Sequence, residues 1–198
     1  MFKKYIIIIA FTCGVFIEGN AQAWDWATSV TYSFGLPTGD LKDFVESSSA
    51  RGVVFEARNL QSDKFSVGFS VGWQVFKDRL EGTFSQEEVD ITGTQVRYVN
   101  TIPIMVTGHY YLGEPGGVRP YVGAGIGTVS SLQRVDVGLF QVSNNNWHFG
   151  FYPELGVYIP VAFDMGINLS AKYNYAVATS DSFDYSYLAL SVGFAWLR

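Results

Sequence analysis

Apolar and polar residues alternate along most of this chain. From Ser29 to Leu36, the residues Val30, Tyr32, Phe34 and Leu36 fall on one side, and Ser29, Thr31, Ser33 and Gly35 on the other. A period of two is the signature of a strand with one apolar face. Phe65 to Phe76 repeats it, with Phe65, Val67, Phe69, Val71, Trp73 and Val75 opposed to Ser66, Gly68, Ser70, Gly72 and Gln74. Met165 to Tyr175 and Leu188 to Trp196 follow the same rule. Noisier but compatible segments run from Gly52 to Asn59, Val96 to Leu112, Val118 to about Val137 and Trp147 to Ile159. The pattern predicts eight strands. No segment shows a helical period, and Gly, Pro, Asn and Asp gather between the strands as hairpin connections require.

The links alternate in length. Pro37 to Arg51, Lys77 to Thr94, Gly138 to Asn146 and Ala178 to Asp184 are long and polar, whereas Leu60 to Lys64, Gly113 to Val118 and Pro160 to Asp164 are brief. An antiparallel up-and-down meander of eight strands therefore has its long links at one end. Its tight turns and both chain termini lie at the other. Barrels of the outer membrane have this asymmetry, with short periplasmic turns and longer outer loops.

Alternation does not say which face points inward; the kind of polar residue does. A water-soluble barrel carries Lys, Glu and Asp outside and large apolar groups inside. Here the polar faces are Ser, Gly, Thr, Asn, Ala and Gln, a poor solvated surface and a good narrow lumen. The stretch Arg119-Pro120-Tyr121-Val122-Gly123-Ala124-Gly125-Ile126-Gly127 leaves one face of its strand almost bare. No amphipathic helix follows it, so a phosphate-binding glycine turn does not fit. Gly123, Gly125 and Gly127, with Gly68, Gly72 and Gly193, read as inward rows that make room for larger side chains from neighbouring strands. Four charges share that face: Glu56, Arg58, Glu154 and Lys172. Unpaired charges are costly in such an interior, so these four are expected to form ion pairs, an arrangement favoured over a gated or ion-selective pore. On the other face Trp73, Tyr110, Tyr173, Tyr175, Phe194 and Trp196 fit a lipid-facing aromatic girdle.

Composition narrows the setting. A basic start, Met1-Phe2-Lys3-Lys4, an apolar run from Tyr5 to Ile17 and the ending Ala21-Gln22-Ala23 read as a signal peptide over residues 1–23, cleaved before Trp24. Residues 24–198 then form a single barrel domain. The only cysteine, Cys13, falls inside the apolar run and reads as an ordinary signal-peptide residue, so no disulfide holds the barrel. The chain carries a net charge of −5, which argues against nucleic acid as a partner. Beyond the leader, no apolar stretch reaches the roughly 20 residues that a membrane helix needs.

Catalytic chemistry finds little support. An acyl-transfer or hydrolase site needs a nucleophile beside an oriented base. Only His109 and His148 are available; the topology places them at opposite ends, and no serine stands in a recognisable motif with His148. The acidic residues Asp78, Glu81, Glu87, Glu88 and Asp90 match no calcium-loop spacing and read as a solvated charge run. No catalytic residue, metal ligand or cofactor site is assigned.

The leader ending Ala21-Gln22-Ala23, the stretch from Arg119 to Gly127, Phe151-Tyr152-Pro153-Glu154-Leu155-Gly156-Val157-Tyr158-Ile159-Pro160 and the aromatic last strand together resemble the small outer-membrane β-barrels of Gram-negative bacteria, the OmpA/OmpX type. The resemblance spans residues 24–198. It lacks the periplasmic domain of OmpA-type proteins, and the chain ends on Arg198 where the class usually ends on an aromatic. It implies an all-β transmembrane barrel in the outer membrane, surrounded by lipid, with periplasmic termini and room for other envelope proteins as partners. A non-enzymatic structural, binding or envelope-complex role is expected. The alternatives are a lipid-modifying barrel enzyme and a narrow pore or transport accessory.

Overall fold

The computed structural model describes residues 26–86, 89–137, 140–179 and 182–197. The leader, with Cys13, lies outside them, as do Glu87 and Glu88. Eight antiparallel strands close into a barrel in sequence order: β1 (Trp26–Thr38), β2 (Ser49–Ser62), β3 (Phe65–Gln86), β4 (Val89–Tyr111), β5 (Arg119–Val137), β6 (Phe140–Pro160), β7 (Met165–Ala176) and β8 (Tyr185–Leu197). Closure is made by β1 against β8, from Ala27 opposite Leu197 to Thr38 opposite Ser186. Every strand is thereby paired on both sides, which removes the open edges that a bilayer does not tolerate.

Strand alternation sorts the wall as expected. Val67, Phe69 and Trp73 on β3 point outward and are exposed, while Ser66, Ser70 and Gln74 point inward and are buried. On β8 the outward Leu190, Val192 and Phe194 oppose the buried Ser191 and Ala195. Trp73, Tyr110, Tyr173, Phe194 and Trp196 are all exposed on the outer wall, and Tyr175 shares that face half-buried against Phe151. The glycines of the inward rows meet large neighbours. A Cβ on Gly125 would lie 2.5 Å from Cζ of Tyr152, and one on Gly123 would run into His109. Gly68, Gly127 and Gly193 instead lie against the backbone of the adjoining strand, and Gly72 against Pro103.

Two expectations about the links are corrected. The segments Lys77 to Thr94 and Gly138 to Asn146 are not loops: β3 and β4 stay paired out to Gln86 opposite Val89, and β5 and β6 to Val137 opposite Phe140. Backbone pairing between two adjacent polar strands suffices to continue a hairpin. The polar composition had suggested a loop, but backbone pairing needs no apolar alternation to continue. The link from Pro37 to Arg51 contains a short helix, α1 (Gly39–Phe44), where no helix was expected. Its signal is brief, Leu41 and Val45 four residues apart on one face. Both are fully buried in the mouth of the barrel.

Candidate functional site

The interior is stacked in two layers. On the side of the short turns, Glu56 and Arg58 of β2, His109 of β4, Glu154 of β6 and Lys172 of β7 meet in a buried cluster. The pleat aims all five inward, and pairing of β6 with β7 sets Glu154 directly opposite Lys172. Arg58 Nη2 donates to Glu56 Oε2 at 3.0 Å and stands 3.7 Å from Glu154 Oε1. Lys172 Nζ bridges the two carboxylates, at 3.3 Å from Glu56 and 3.4 Å from Glu154. His109 Nε2 lies 3.1 Å from Glu154 and 3.3 Å from Glu56. The Tyr121 hydroxyl donates to Glu154 Oε1 at 3.0 Å. Two carboxylates are thus matched by two cations, and neighbouring donors serve all of their oxygens except Glu56 Oε1, which lies within ion-pair reach of His109; this is what makes charge tolerable in a low-dielectric interior. The structure brings together the four charges singled out in the sequence and adds His109 and Tyr121.

Glu56, His109 and Glu154 present three ligand atoms within 4.8 Å of one another, a set that can hold a divalent cation. Arg58 and Lys172 already engage those carboxylates. A metal would have to enter against both cations, so the residues fit an ion-pair layer better than a metal centre.

The second layer lies toward the long hairpins and is apolar. Phe76, Val99, Met105, Val129, Tyr152, Tyr185 and Tyr187 fill the lumen, with Leu41 and Val45 of the α1 segment pressed in from above. Burying Leu41 and Val45 contributes roughly 1.5–3 kcal/mol each. Outside the lumen, Arg97 of β4 donates to the Phe44 carbonyl at 3.1 Å and stacks on the Phe44 ring. Asp78 accepts from the Glu46 N–H and from Ser47, each at 3.1 Å. The helix is therefore a lid anchored on two sides. The alternation pattern had missed this layer because its inward residues are as apolar as the outward ones. The adjacent pair Val75-Phe76, which breaks the period, was the available signal.

One chemical pairing also escaped the sequence. Ser131 on β5 and His148 on β6 are joined at 2.8 Å through Nε2, and the other ring nitrogen of His148 contacts the Val177 carbonyl at 2.9 Å. The expectation that no serine partners His148 is corrected. The two positions lie in one inward cross-strand neighbourhood, and a motif scan along the sequence does not see register. Both residues face the lumen and are buried, at 1% and 2% exposure, beneath the Tyr185 ring. A lipid acyl chain on the outer wall does not meet this pair.

Among the described residues, tight cavities break the packing: one of about 10 Å³ beside Met105 and Tyr185, and two of about 20 Å³. Of the larger two, one opens toward the turn end beside Arg58, Tyr111 and Arg119; the other sits between the layers, beside Gln74, Tyr152 and Lys172. Each is the size of one or two water molecules. Larger hollows lie on the outer wall, such as one lined by Tyr32, Leu155 and Leu190.

The model of the OmpW family matches residues 35–190. No curated protein sequence matches the chain. Among solved structures, Ail, the attachment invasion locus protein of Yersinia pestis, is similar with a TM-score of 0.55 at 10% identity, covering 89% of this chain and 100% of that one; it was solved with the heparin analogue sucrose octasulfate. The outer membrane protein OprG of Pseudomonas aeruginosa gives 0.54 at 13% identity, with 89% and 97% covered. The E. coli outer membrane protein W gives 0.51 at 16%, with 90% and 100% covered. Identities this low speak for the barrel fold alone. The OmpA/OmpX resemblance was thus right at the level of small outer-membrane barrels and too coarse at the level of family.

Proposed function

The chain belongs to the OmpW family of outer-membrane barrels, and on that premise we propose that it is a non-enzymatic binding protein whose lumen is a structural plug. The carrying observation is the filled interior. An ion-pair layer and an apolar layer close it in series, and the cavities of about 20 Å³ that break the packing are far too small for a continuous channel. Such a barrel works through what projects from it. Residues 1–23 act as a cleaved leader, and both ends of the barrel domain lie in the periplasm with the short turns. The paired extensions of β3–β4 and β5–β6 then stand outside the cell.

Charge supports one class of partner over another. Ail was solved with a sulfated ligand, but the β3–β4 extension here carries Asp78, Glu81, Glu87, Glu88 and Asp90 in its sequence. Acidic character of this kind repels a polyanion, so a neutral or basic surface of another envelope protein is the expected partner. The Ser131–His148 pair is read as a structural hydrogen bond of the wall.

The test is purification of the tagged protein from native outer membranes in mild detergent, beside a variant in which residues 83–92 are replaced by Asn-Gly. Gly82 and Gly93 are paired in register, so a short turn fits there. A stoichiometric protein partner with the wild type, absent from the shortened variant, is expected, with both proteins still shifting mobility on boiling. No partner, together with steady single-channel conductance in planar bilayers, would replace this reading with the narrow-pore one.

A further inference from the structure

The turn-side mouth of the lumen has more positive charge than the ion-pair layer consumes. Arg119, at the start of β5, is 6% exposed. Its Nη2 donates to the Asp63 backbone carbonyl and its guanidinium stacks on Tyr111, 4.6 Å from the ring centroid. Among the described residues no carboxylate lies within ion-pair distance of it, and its buried Nε has no hydrogen-bond partner. Arg58, 5% exposed, donates from Nη1 to the hydroxyl of the same tyrosine at 3.1 Å, and its Nε is likewise buried and unpartnered. Both arginines line the cavity of about 20 Å³. Two more of its residues add polar groups. Ser29 is a buried hydroxyl, and the buried Asn168 amide lies 3.0 Å from the Tyr121 hydroxyl.

We infer that this cavity is a binding site for one small monovalent anion of halide size, coordinated by Arg58 and Arg119. Three facts converge on that ligand. The carboxylates Glu56 and Glu154 are balanced by Arg58 and Lys172, so among the described residues Arg119 is an uncompensated buried cation, a costly state that an anion relieves. The cavity is lined mainly by apolar groups such as Leu60, Ala195 and Leu197, among which the two guanidinium groups, Ser29 and Asn168 are polar. Its volume of about 20 Å³ matches one monatomic ion. Asp63 and Asp164 on neighbouring turns are exposed. Neither supplies the missing charge from within. The site is independent of the proposed partner surface, which lies at the other end of the barrel. Its consequence is structural, since an anion here ties β2, β4 and β5 together at the mouth.

Thermal unfolding of the detergent-solubilised barrel in sodium chloride and in sodium gluconate of equal concentration tests the site, because gluconate is too large to enter. The expected result is a midpoint that rises in chloride by about 3 °C per tenfold increase above half-saturation and stays flat in gluconate. Arg119→Gln should remove the difference while retaining heat-dependent gel mobility. Should that variant fail to fold, crystals of the wild type soaked in bromide decide: an anomalous peak within hydrogen-bonding reach of Arg119 Nε is expected. Identical midpoints in the two salts, or bromide-soaked crystals with only water in the cavity, would overturn the inference.

Discussion

At the scale of single residues, the interior is governed by charge balance. Lys172 touches both carboxylates, as Arg58 does from β2, and it also stacks on Tyr152, 4.9 Å from the ring centroid. Removing it leaves two buried carboxylates facing a single guanidinium. Lys172→Met should therefore destabilise the barrel by about 3–5 kcal/mol. Adding Glu154→Gln restores neutrality and should recover a large part of that loss. Urea unfolding of the barrel in phospholipid vesicles measures both, and additive losses would show that the two side chains are not coupled. The glycines act at the same scale through their missing atoms. Without Gly123 and Gly125, the rings of His109 and Tyr152 would have no wall to lie against.

Among the elements, α1 behaves differently from the strands because its hold depends on pH. Asp40, in the first turn of the helix and beyond the strand ends, has its carboxyl raised above the usual 3.8 by a hydrogen bond to Asp184, and further by the like charge of that residue. An acid with a raised folded value binds its proton more tightly in the closed lid. Its contribution is fully present below pH 3.8 and is lost as pH rises through the raised value. At neutral pH the two carboxylates repel, and Leu41, Val45, the Arg97 contact and the Asp78 hydrogen bonds hold the lid. Protection of the Val45 amide, bonded to the Leu41 carbonyl at 2.8 Å, should accordingly be greater near pH 4 than near pH 7 after correction for intrinsic exchange. Asp184→Asn should abolish that difference; an unchanged difference would remove Asp184 as its cause.

The whole molecule is a closed wall turned inside out relative to a soluble barrel, and the solvent of its outer face is the property to test. Val106, in the middle of the β4 wall, is 56% exposed. In lipid, Val106→Lys should cost about 2–4 kcal/mol, falling toward zero for the same change near a strand end. A lysine in water would cost almost nothing there. Unfolding in vesicles of the Lys variants along one strand reads this depth profile, and a flat profile would contradict membrane immersion.

The period-two pattern, read together with the link lengths and the small, uncharged residues of the polar face, determined the strand number, the antiparallel order, the outward aromatics and the inward charges at Glu56, Arg58, Glu154 and Lys172. Those features depend chiefly on which side of a pleat a residue occupies, and local alternation encodes that side directly. Three things were decided by tertiary structure. The lid emerged only when Leu41 and Val45 found a mouth to fill, a burial too short to leave a helical period. The Ser131–His148 contact required the register of β5 on β6, which hairpin geometry sets. The partnerless charge of Arg119 appeared only once distances assigned Arg58 and Lys172 to the two carboxylates, because pairing is a matter of reach across the lumen and strand alternation carries no information about it.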